Sequence, residues 1–373
     1  MAGVQLPLAG ITVVAIEQAV AAPFASSRLA DAGARVIKVE RPEGDFARGY
    51  DDVAAGLSSY FVWLNRGKES VTLDLTKPEG KAALAALLGD ADVLIQNLKP
   101  GALDRLGFDR GRLSRDFPRL ITLSVSGYGE GGPMASRKAY DLLIQAESGL
   151  CSVTGGPESA ARVGISIVDI ATGATAYAAI LEALIRRGIT GKGADIGVSM
   201  FDVMADWLTV PLLNHEGGKS PRRIGLAHPS IAPYGVFSTK DGKQILISVQ
   251  SDREWRNLAQ VFLGDAALGT DPRFATNLAR VRNRAETDAV VAAAFAARTG
   301  DAALADIEAA DVAFASVNDM EGLSRHPHLR RITVDTPNGP VSYPAPGPVF
   351  AGEERLYGAV PPLNRETASM ENV

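Results

Sequence analysis

The chain contains very little cysteine and histidine. Of its 373 residues one is a cysteine, Cys151, and four are histidines, at positions 215, 228, 326 and 328. A single thiol cannot close an intrachain disulfide or build a metal site from several thiolates, which is typical of proteins in a reducing compartment. The histidines show no metal-ligand spacing. We therefore predict a cytoplasmic protein without a metal site.

Long apolar segments and long runs of like charge are missing too. Residues 224–239, a stretch of 16 residues free of Asp, Glu, Lys and Arg, are interrupted by two prolines, whereas a membrane-spanning helix needs roughly 20 apolar residues. Residues 1–10 lack the charged and apolar regions of a signal peptide. Lys and Arg number 38 against 43 Asp and Glu, without an extended basic tract. Neither a membrane nor nucleic acid is an expected partner.

What the chain has is material for a large core and a regular alternation of elements at its start. Hydrophobic residues make up 46% and charged residues 22% of the sequence, which is typical of globular proteins. The order of elements predicts a Rossmann-like parallel sheet with right-handed crossovers, hence an α/β fold. Strands are predicted at residues 11–16, 35–39, 71–75, 92–95 and 120–125, and helices at 25–32 and from Pro78.

The later part of the chain changes character twice. Residues 163–168 are predicted to be an extended segment that precedes a long helix at 171–187. From about residue 217 a stretch rich in Gly, Pro and Ser leads into a hairpin near residues 234–249 and then into amphipathic helices. This pattern predicts a separate, smaller α+β domain at residues 225–325. After residue 330 the chain is rich in Pro and Gly, which favours an extended path.

Few segments carry a recognisable catalytic signature. Residues 127–132 match G-x-G-x-x-G, but Pro133 follows where a dinucleotide site needs a helix, so a flexible glycine loop is the preferred interpretation. The absence of a G-x-S-x-G elbow disfavours a serine hydrolase. Asp169, just before the helix predicted at 171–187, is either an N-cap or a catalytic carboxylate. At the carboxyl edge of a sheet, helix amides beside it could stabilise an oxyanion.

Several segments follow one another in a specific order along nearly the whole chain. They are residues 8–13, 22–23, 29–42, 65–70, 73–75, 92–97, 100–107, 126–133 and 138–141, then Gln145, Ser148, Gly149 and Asp169 with its helix. Together they resemble the class III CoA-transferases, the family of formyl-CoA transferase, carnitine CoA-transferase and the α-methylacyl-CoA racemases. No single segment is decisive, but the ordered set is highly specific.

The resemblance implies a reaction and a set of binding residues. In that family an aspartate, which Asp169 resembles, attacks the acyl-CoA thioester to form a mixed anhydride. The acceptor acid then receives CoA by way of an aspartyl-CoA and a second anhydride. Coenzyme A is then a substrate, and no separate cofactor is expected. Arg41, Arg105 and Lys138 suit the CoA phosphates. The positions that match the family's CoA contacts are Val20, Ala21, Arg41, Leu73, Asn97, Leu98, Arg105, Lys138, Tyr140 and Met200.

Two positions depart from the family pattern. The racemases carry a histidine where this chain has Tyr140, and that histidine forms an acid–base pair with the residue equivalent to Asp169. A tyrosine is a poor base near neutral pH, so acyl transfer is preferred over racemisation of a 2-methylacyl-CoA. Thr76 stands where a basic CoA contact is common. A CoA-binding homologue without turnover is the third interpretation.

The resemblance also bears on the acceptor acid. Formyl-type members have a glycine-only loop where this chain has residues 226–235, and members with a similar loop act on small dicarboxylic acids of the succinate, itaconate, mesaconate or citramalate type. His228 and Ser230, with Arg222 or Arg223, are the predicted pocket for the distal carboxylate. An ordered domain linker is the competing interpretation of this loop. The sequence leaves the donor, the acceptor and the choice between inter- and intramolecular transfer open.

The resemblance further implies how the chain is assembled. Family members form interlocked homodimers in which the chain runs from a large domain to a small one and back. The large CoA-binding domain would then be discontinuous, formed by residues 1–215 and 330–373. The Pro- and Gly-rich tract after Thr336 suits this return path.

Overall fold

The computed structural model of the protein describes residues 6–364 and contains one dominant sheet. Its strands are β1 (Thr12–Ile16), β2 (Arg35–Glu40), β3 (Lys68–Thr72), β4 (Val93–Gln96), β5 (Ile121–Ser126) and β6 (Ala194–Ser199). All neighbouring strands pair in parallel, in the order β3-β2-β1-β4-β5-β6. This is the strand order of a Rossmann fold, and it confirms the predicted α/β class.

Helices connect and follow these strands. In chain order they are α1 (Ala21–Asp31), α2 (Ser59–Asn65), α3 (Pro78–Gly89), α4 (Ala102–Arg105), α5 (Arg110–Asp116), α6 (Asp141–Glu147), α7 (Leu150–Val153), α8 (Ile167–Thr190), α9 (Met200–Trp207), α10 (Thr209–Glu216), α11 (Asp252–Asn257), α12 (Asn277–Arg282), α13 (Arg284–Ala296), α14 (Gly300–Ala309) and α15 (Met320–Ser324). Short helical turns lie at Phe46–Gly49, Leu258–Phe262 and Ala266–Gly269. Local signals explain several ends: Pro78 opens α3, and Gly191, at φ 71°, ends α8.

The chain divides into two compact units. The larger comprises Met1–Leu150, Arg162–Leu213 and Arg330–Val373, and the smaller comprises Cys151–Ala161 and Asn214–Leu329. The larger unit also contains a hairpin of β10 (Arg331–Val334) and β11 (Val341–Pro344), and the smaller an antiparallel sheet of β7 (Tyr234–Ser238), β8 (Gln244–Ser248) and β9 (Ala313–Ser316). The smaller unit has its own core, built around Trp255 and Phe295.

Helices cover both faces of the large sheet. On one face α1 and α8 pack against Val13 and Leu123, and on the other α3 and α5 pack against Val14 and Leu94. Since α1 and α8 share a face while their connections, β1 to β2 and β5 to β6, run in opposite directions across the sheet, the two crossovers have opposite hands. The expectation of uniformly right-handed crossovers is therefore wrong for one of them.

Two elements begin earlier than the sequence pattern predicts. β3 runs from Lys68 to Thr72, so that Leu73, which is buried, lies just past the strand. α8 begins at Ile167 after the N-cap Ser166, and the segment before it is a loop rather than a strand. The side chain of Gln145 bonds to the backbone of this loop in place of a neighbouring strand. Asp169 consequently lies inside the first turn of α8 and is not its N-cap.

One helix, α8, is long and apolar enough, by length and composition alone, to cross a membrane. Core helices of globular proteins meet the same criterion, and the buried side of α8 packs against α1 and the sheet. Its first turn carries Asp169 and its last turn carries Arg187. No long charge-free run in the sequence marks α8, because single charged residues such as Asp169 and Glu182 interrupt its apolar residues.

Candidate active site

Asp169 is a partly buried carboxylate at the start of a long helix. Burial, together with the negative charge of Asp141, raises the pKa of Asp169 to about 7. A carboxylate with such a pKa is more basic, and hence more nucleophilic, than an ordinary aspartate, while about half of it is still ionised at neutral pH. Asp169 is thus suited to attack an electrophilic carbon.

Asp141, the first residue of α6, caps the helix that carries Asp169. Its Oδ1 accepts hydrogen bonds from the backbone amides of Val168, at 2.8 Å, and Asp169, at 3.1 Å. The amide of Ile167 donates to the carbonyl of Ile165 at 2.8 Å. Because these three first-turn amides are occupied, the expectation that they could stabilise an oxyanion beside Asp169 is wrong.

Gln145 holds the loop that leads into α8. Its side chain is fully buried. Its Nε2 donates to Asp141 Oδ2 at 2.6 Å, and its Oε1 accepts from the amide of Val163 at 2.9 Å. Through these bonds α6 fixes both the loop and the carboxylate that caps α8. Asp141 and Gln145 belong to the segments that carry the family resemblance, but the sequence did not show their structural role.

Tyr50 lies close enough to Asp169 for the carboxylate to affect its pKa, and other tyrosines lie near Tyr50. Partial burial, with the negative charges of Asp45 and Asp169, raises the pKa of Tyr50 to about 12, and Tyr140 and Tyr60 add to the effect. The rings of Tyr50 and Tyr60 meet edge to face at 5.4 Å. Tyr60 Oη lies 3.5 Å from Ser166 Oγ at the start of α8. The sequence predicted Tyr140 here but missed Tyr50 and Tyr60, since their neighbours in the chain form no motif.

The turn between β1 and α1 packs against the part of α8 that follows Asp169. Val20 packs in a small cluster with Ile170, the residue after Asp169. One helical turn further on, Gly173 allows close approach, because a Cβ there would lie 2.5 Å from the carbonyl oxygen of Ala21. Within the described residues, α1 begins at Ala21 with no side-chain cap and no acidic residue in its first turn. Its amides therefore form a positively polarised end near the first turns of α8.

A cavity of about 390 Å³ opens where β1, β2 and β3 end. It brings together four residues that the resemblance assigned to CoA, namely Arg41, Leu73, Leu98 and Arg105. Arg41 is well exposed, and its Nε donates to the carbonyl of Gly44 at 3.0 Å. Two cations at a cavity with apolar walls suit a nucleotide that carries phosphates. Thr76, the departure from the family pattern, lines the same cavity.

Asn97 is bonded to a residue that lines the cavity and is not itself among the lining residues. Its Oδ1 accepts from the amide of Gln18 at 3.0 Å, and its Nδ2 donates to the carbonyl of Gln18 at 2.8 Å. Gln18 itself lines the cavity. The side chain of Asn97 therefore holds the backbone of the β1–α1 turn in place. It affects the cavity indirectly, through the position of Gln18.

The remaining predicted residues of the larger unit lie elsewhere in it. Lys138 is exposed in the loop before α6, and Tyr140 is 59% exposed. Met200, the first residue of α9, is buried in the core with α8. These three thus fall outside the group that encloses the cavity, although Tyr140 is close enough to Tyr50 to affect its pKa.

His228 and Ser230 belong to the smaller unit, in the loop before β7. The ring of His228 stacks on Tyr234 at 5.2 Å, and its Nδ1 accepts from the amide of Ser230 at 3.1 Å. The carbonyl of Ser230 accepts from Asn277 at 2.9 Å. Arg223 donates to backbone carbonyls of the same unit. The loop is therefore internally ordered. Within residues 6–364 there is no group of three or more His, Cys, Asp or Glu that could hold a metal ion.

The chain is similar to known proteins over most of its length. The family model described as CoA-transferase family III matches residues 8–367. Acetyl-CoA:oxalate CoA-transferase from Acetobacter aceti is 41% identical over 281 residues, 74% of this chain and 72% of that protein. Succinate–glutarate CoA-transferase from Agrobacterium fabrum is 39% identical over 295 residues, 76% and 73%. The crystal structure of a CAIB/BAIF family protein from Brucella suis is 36% identical, with a TM-score of 0.82, and covers 98% of this chain and 99% of that one.

Proposed function

We propose, from the premise that this chain belongs to CoA-transferase family III and is an enzyme of that class, that Asp169 carries the transferred groups in an acyl-CoA:carboxylate CoA transfer. The observation that carries the proposal is the environment of Asp169. Burial and Asp141 raise its pKa to about 7, which makes it a stronger nucleophile than an ordinary aspartate. Coenzyme A thioester is the substrate, and the scheme needs no resident cofactor or metal.

The proposed reaction has four steps, and in each step one bond to a carbonyl carbon forms while another breaks. A carboxylate oxygen of Asp169 attacks the thioester carbon, the C–S bond breaks, and CoA leaves as a thiolate. The thiolate attacks the aspartyl carbonyl of the mixed anhydride, which gives aspartyl-CoA and releases the donor acid. The acceptor carboxylate then displaces CoA from Asp169 to form a second anhydride. Attack of the thiolate on the acceptor's carbonyl gives the new acyl-CoA and restores Asp169.

Oriented donors must stabilise the oxyanion in each exchange. The first-turn amides of α8 are occupied by Asp141 and Ile165. We assign the role instead to the β1–α1 turn, where Val20 and Ala21 stand at the uncapped start of α1. Arg41 and Arg105 would pair with CoA phosphates in the cavity, while Leu73 and Leu98 contact its apolar parts. Asn97 would act by holding Gln18 in place.

The acceptor in this proposal is a small dicarboxylic acid. Support comes from two relatives whose names specify oxalate and the pair succinate and glutarate. Tyr50, Tyr60 and Tyr140 offer phenol hydroxyls near Asp169 for a second polar group on the acid. His228 and Ser230 remain proposed contacts for the distal carboxylate, and Lys138 and Met200 remain proposed contacts for CoA.

A 2-methylacyl-CoA racemase is the alternative activity. Racemisation needs a second acid–base group opposite Asp169, and the residue at that position is Tyr140, a weak base near neutral pH. Incubation with acyl-CoA in deuterated water separates the two reactions. Transfer predicts CoA exchange that depends on added acid, without deuterium at Cα. Cα exchange without acid-dependent transfer would replace the proposal.

Substrates can be identified with a matrix of donors and acceptors. Succinyl-CoA, acetyl-CoA and itaconyl-CoA are each incubated with C2 to C6 mono- and dicarboxylic acids, and the products are read by mass spectrometry. We expect new acyl-CoA with C4 or C5 dicarboxylic acids at rates well above those for monocarboxylic acids of equal length. Binding of CoA without transfer for any pair would instead favour a homologue without turnover.

We also propose that the enzyme is a cytoplasmic homodimer with interlocked chains. Support for a dimer comes from apolar side chains on α9 and α10 that a lone chain leaves in water, among them Trp207, Val210 and Leu213 at 56%, 67% and 61% exposure. A second copy would cover them. Light scattering on the purified protein should give twice the chain mass, and a Trp207→Glu variant should weaken the association.

A further inference from the structure

Four charged side chains that the proposed chemistry does not use are buried together beneath the β1–α1 turn. They are Glu17, Lys38, Asp45 and Lys68, and they are at most 5% exposed. Lys68 Nζ lies 2.7 Å from Glu17 Oε1, and Lys38 Nζ lies 2.8 Å from Asp45 Oδ2 and 3.7 Å from Glu17. Two positive and two negative charges thus form one balanced cluster.

Stability alone is a weak reason for such a cluster. Removing four charges from water costs several kcal/mol per ion, and replacement of buried ion pairs by well-packed apolar side chains is often neutral or stabilising. Polar groups complete the bonding of the cluster: Ser26 Oγ donates to Glu17 at 2.7 Å, and Lys68 donates to Asn65 Oδ1 at 3.1 Å. A fully bonded cluster of this kind fixes one geometry.

The geometry that it fixes is that of the backbone around the turn. Lys38 Nζ donates to the carbonyl of Glu17 at 3.2 Å, and Lys68 Nζ donates to the carbonyl of Pro23 at 3.2 Å. Asp45 Oδ1 accepts from the amide of Ala19 at 3.2 Å. Ala19 has a φ of 64°, which a residue with a side chain rarely adopts. The cluster therefore holds the backbone at three points and keeps a strained residue in place.

This turn connects the two halves of the candidate site. Glu17 and Gln18, at its start, line the cavity assigned to CoA. At its other end Val20 packs with Ile170, and Ala21 lies against Gly173 of α8. A small displacement of the turn would thus change where a thioester sits relative to Asp169, while the lining residues outside the turn, Arg41, Leu73, Leu98 and Arg105, keep their places.

We propose that Glu17, Lys38, Asp45 and Lys68 are positioning residues, which hold the β1–α1 turn so that the thioester carbonyl is placed against Asp169. The inference rests on the proposed function. Its consequence is a specific division of effects. Disruption of the cluster lowers kcat for CoA transfer and leaves the affinity for free CoA nearly unchanged, because CoA contacts outside the turn are retained.

The test compares two charge-balanced double variants. Glu17→Gln with Lys68→Met removes one buried pair and the grip on Pro23 without leaving an unpaired charge. Arg35→Gln with Glu69→Gln removes the exposed pair between β2 and β3, at 2.8 Å, and is the matched control. kcat, KM, the Kd for CoA by calorimetry and the Tm are measured for both.

We expect the buried double variant to lose kcat by about 10- to 100-fold, since an error of about 1 Å in position costs on that order, with the Kd for CoA within about threefold. The control should match the wild type in both. An unchanged kcat in a buried double variant that still folds would overturn the inference. A Kd for CoA that rises by the same factor as kcat falls would overturn it too.

A second comparison applies if the double variant does not fold. Asp45→Asn keeps an oxygen that can accept from Ala19, whereas Asp45→Ala does not. The inference predicts that Asn retains more kcat than Ala at equal Tm, and equal kcat would contradict it. Failure of the proposed function is a separate result, since it would appear as CoA transfer by Asp169→Ala at the wild-type rate.

Discussion

Asp141 caps the helix that carries Asp169, and the same carboxylate raises the pKa of Asp169. One side chain thus holds the backbone of Asp169 and, together with burial, makes its carboxylate more basic. The arrangement has a cost, because the two amides that Asp141 occupies are lost as oxyanion donors. The oxyanion donors must therefore come from elsewhere, and we assign them to the turn before α1.

The pH dependence of transfer should report the ionisation of Asp169. The attacking form is the carboxylate, so kcat/KM is expected to rise with pH through a midpoint near the pKa of about 7. The measurement is kcat/KM between about pH 5 and 9, at saturating acceptor. An acceptor acid is fully ionised above about pH 6 and contributes little to this midpoint. A kcat/KM that stays constant across this range, as for an aspartate of ordinary pKa, would contradict the raised pKa.

Substitution of Asp141 separates its two roles. Asp141→Asn keeps an oxygen for the amides of Val168 and Asp169 but removes the negative charge. We expect the acid limb of kcat/KM to move to lower pH, with some loss of stability, because the amide nitrogen of Asn cannot accept the bond from Gln145 Nε2. Asp141→Ala also removes the cap, at a cost of about 1 kcal/mol. If both variants keep the wild-type pH profile, Asp141 does not tune the nucleophile.

Asp169→Asn should inactivate the enzyme and stabilise its fold. The pKa of Asp169 is raised from 3.8 to about 7 in the folded chain, so its ionisation opposes folding above pH 7, and this opposition is relieved as the pH falls towards 3.8. One pKa unit corresponds to about 1.4 kcal/mol, so Asp169→Asn should raise the free energy of unfolding at pH 8 by at most about 4 kcal/mol. Urea unfolding at pH 5 and pH 8 should show a larger gain at pH 8. An equal effect at both pH values would contradict the burial argument.

Gly173 should be sensitive to a single methyl group. A Cβ at this position would lie 2.5 Å from the carbonyl oxygen of Ala21 and 2.8 Å from Cβ of Phe24, so Gly173→Ala pushes α1 away from α8. We expect a loss of about 1–3 kcal/mol and a lower kcat. Gly188→Ala, in the same helix with no described atom within 4 Å, is the control and should gain about 1 kcal/mol. Equal behaviour of the two variants would contradict the close packing of α1 on α8.

Arg41 and Arg105 should act on binding. Loss of a charge-assisted contact to a phosphate costs about 1.5–3 kcal/mol, less where the pair is exposed, so we expect Arg41→Ala and Arg105→Ala to raise the KM for acyl-CoA roughly tenfold with little change in kcat. Arg253→Ala, an exposed arginine of the smaller unit, is the control for loss of charge. A selective fall in kcat would show that these arginines do not serve CoA binding.

Much of the large sheet follows from local sequence patterns. The β-branched runs that form β1, β2, β4 and β5 were predicted within a residue or two, because strands buried on both faces leave continuous apolar runs. The start of α8 was placed four residues late, since a loop fixed by the side chain of Gln145 has the same apolar composition as a strand.

The site was harder to predict than the sheet. The position of Asp169 before a predicted helix makes it a candidate, but its role and the cavity residues come from the family resemblance and not from spacing. Tyr50 and Tyr60 approach the start of α8 only in the folded chain, where Asp169 affects the pKa of Tyr50 and Tyr60 lies beside Ser166. The buried lysines 38 and 68 look in sequence like ordinary strand residues, because their partners Glu17 and Asp45 lie on other elements. Long-range pairing of this kind leaves no periodic signal in one sequence.

The central claim is that Asp169 itself becomes acylated during transfer. The most direct measurement is peptide mass spectrometry after hydroxylamine is added during turnover with succinyl-CoA and a C5 dicarboxylic acid. The account predicts a hydroxamate on Asp169, formed only when acyl-CoA is present. Modification of a different residue, or transfer that continues without any modified peptide, would contradict it.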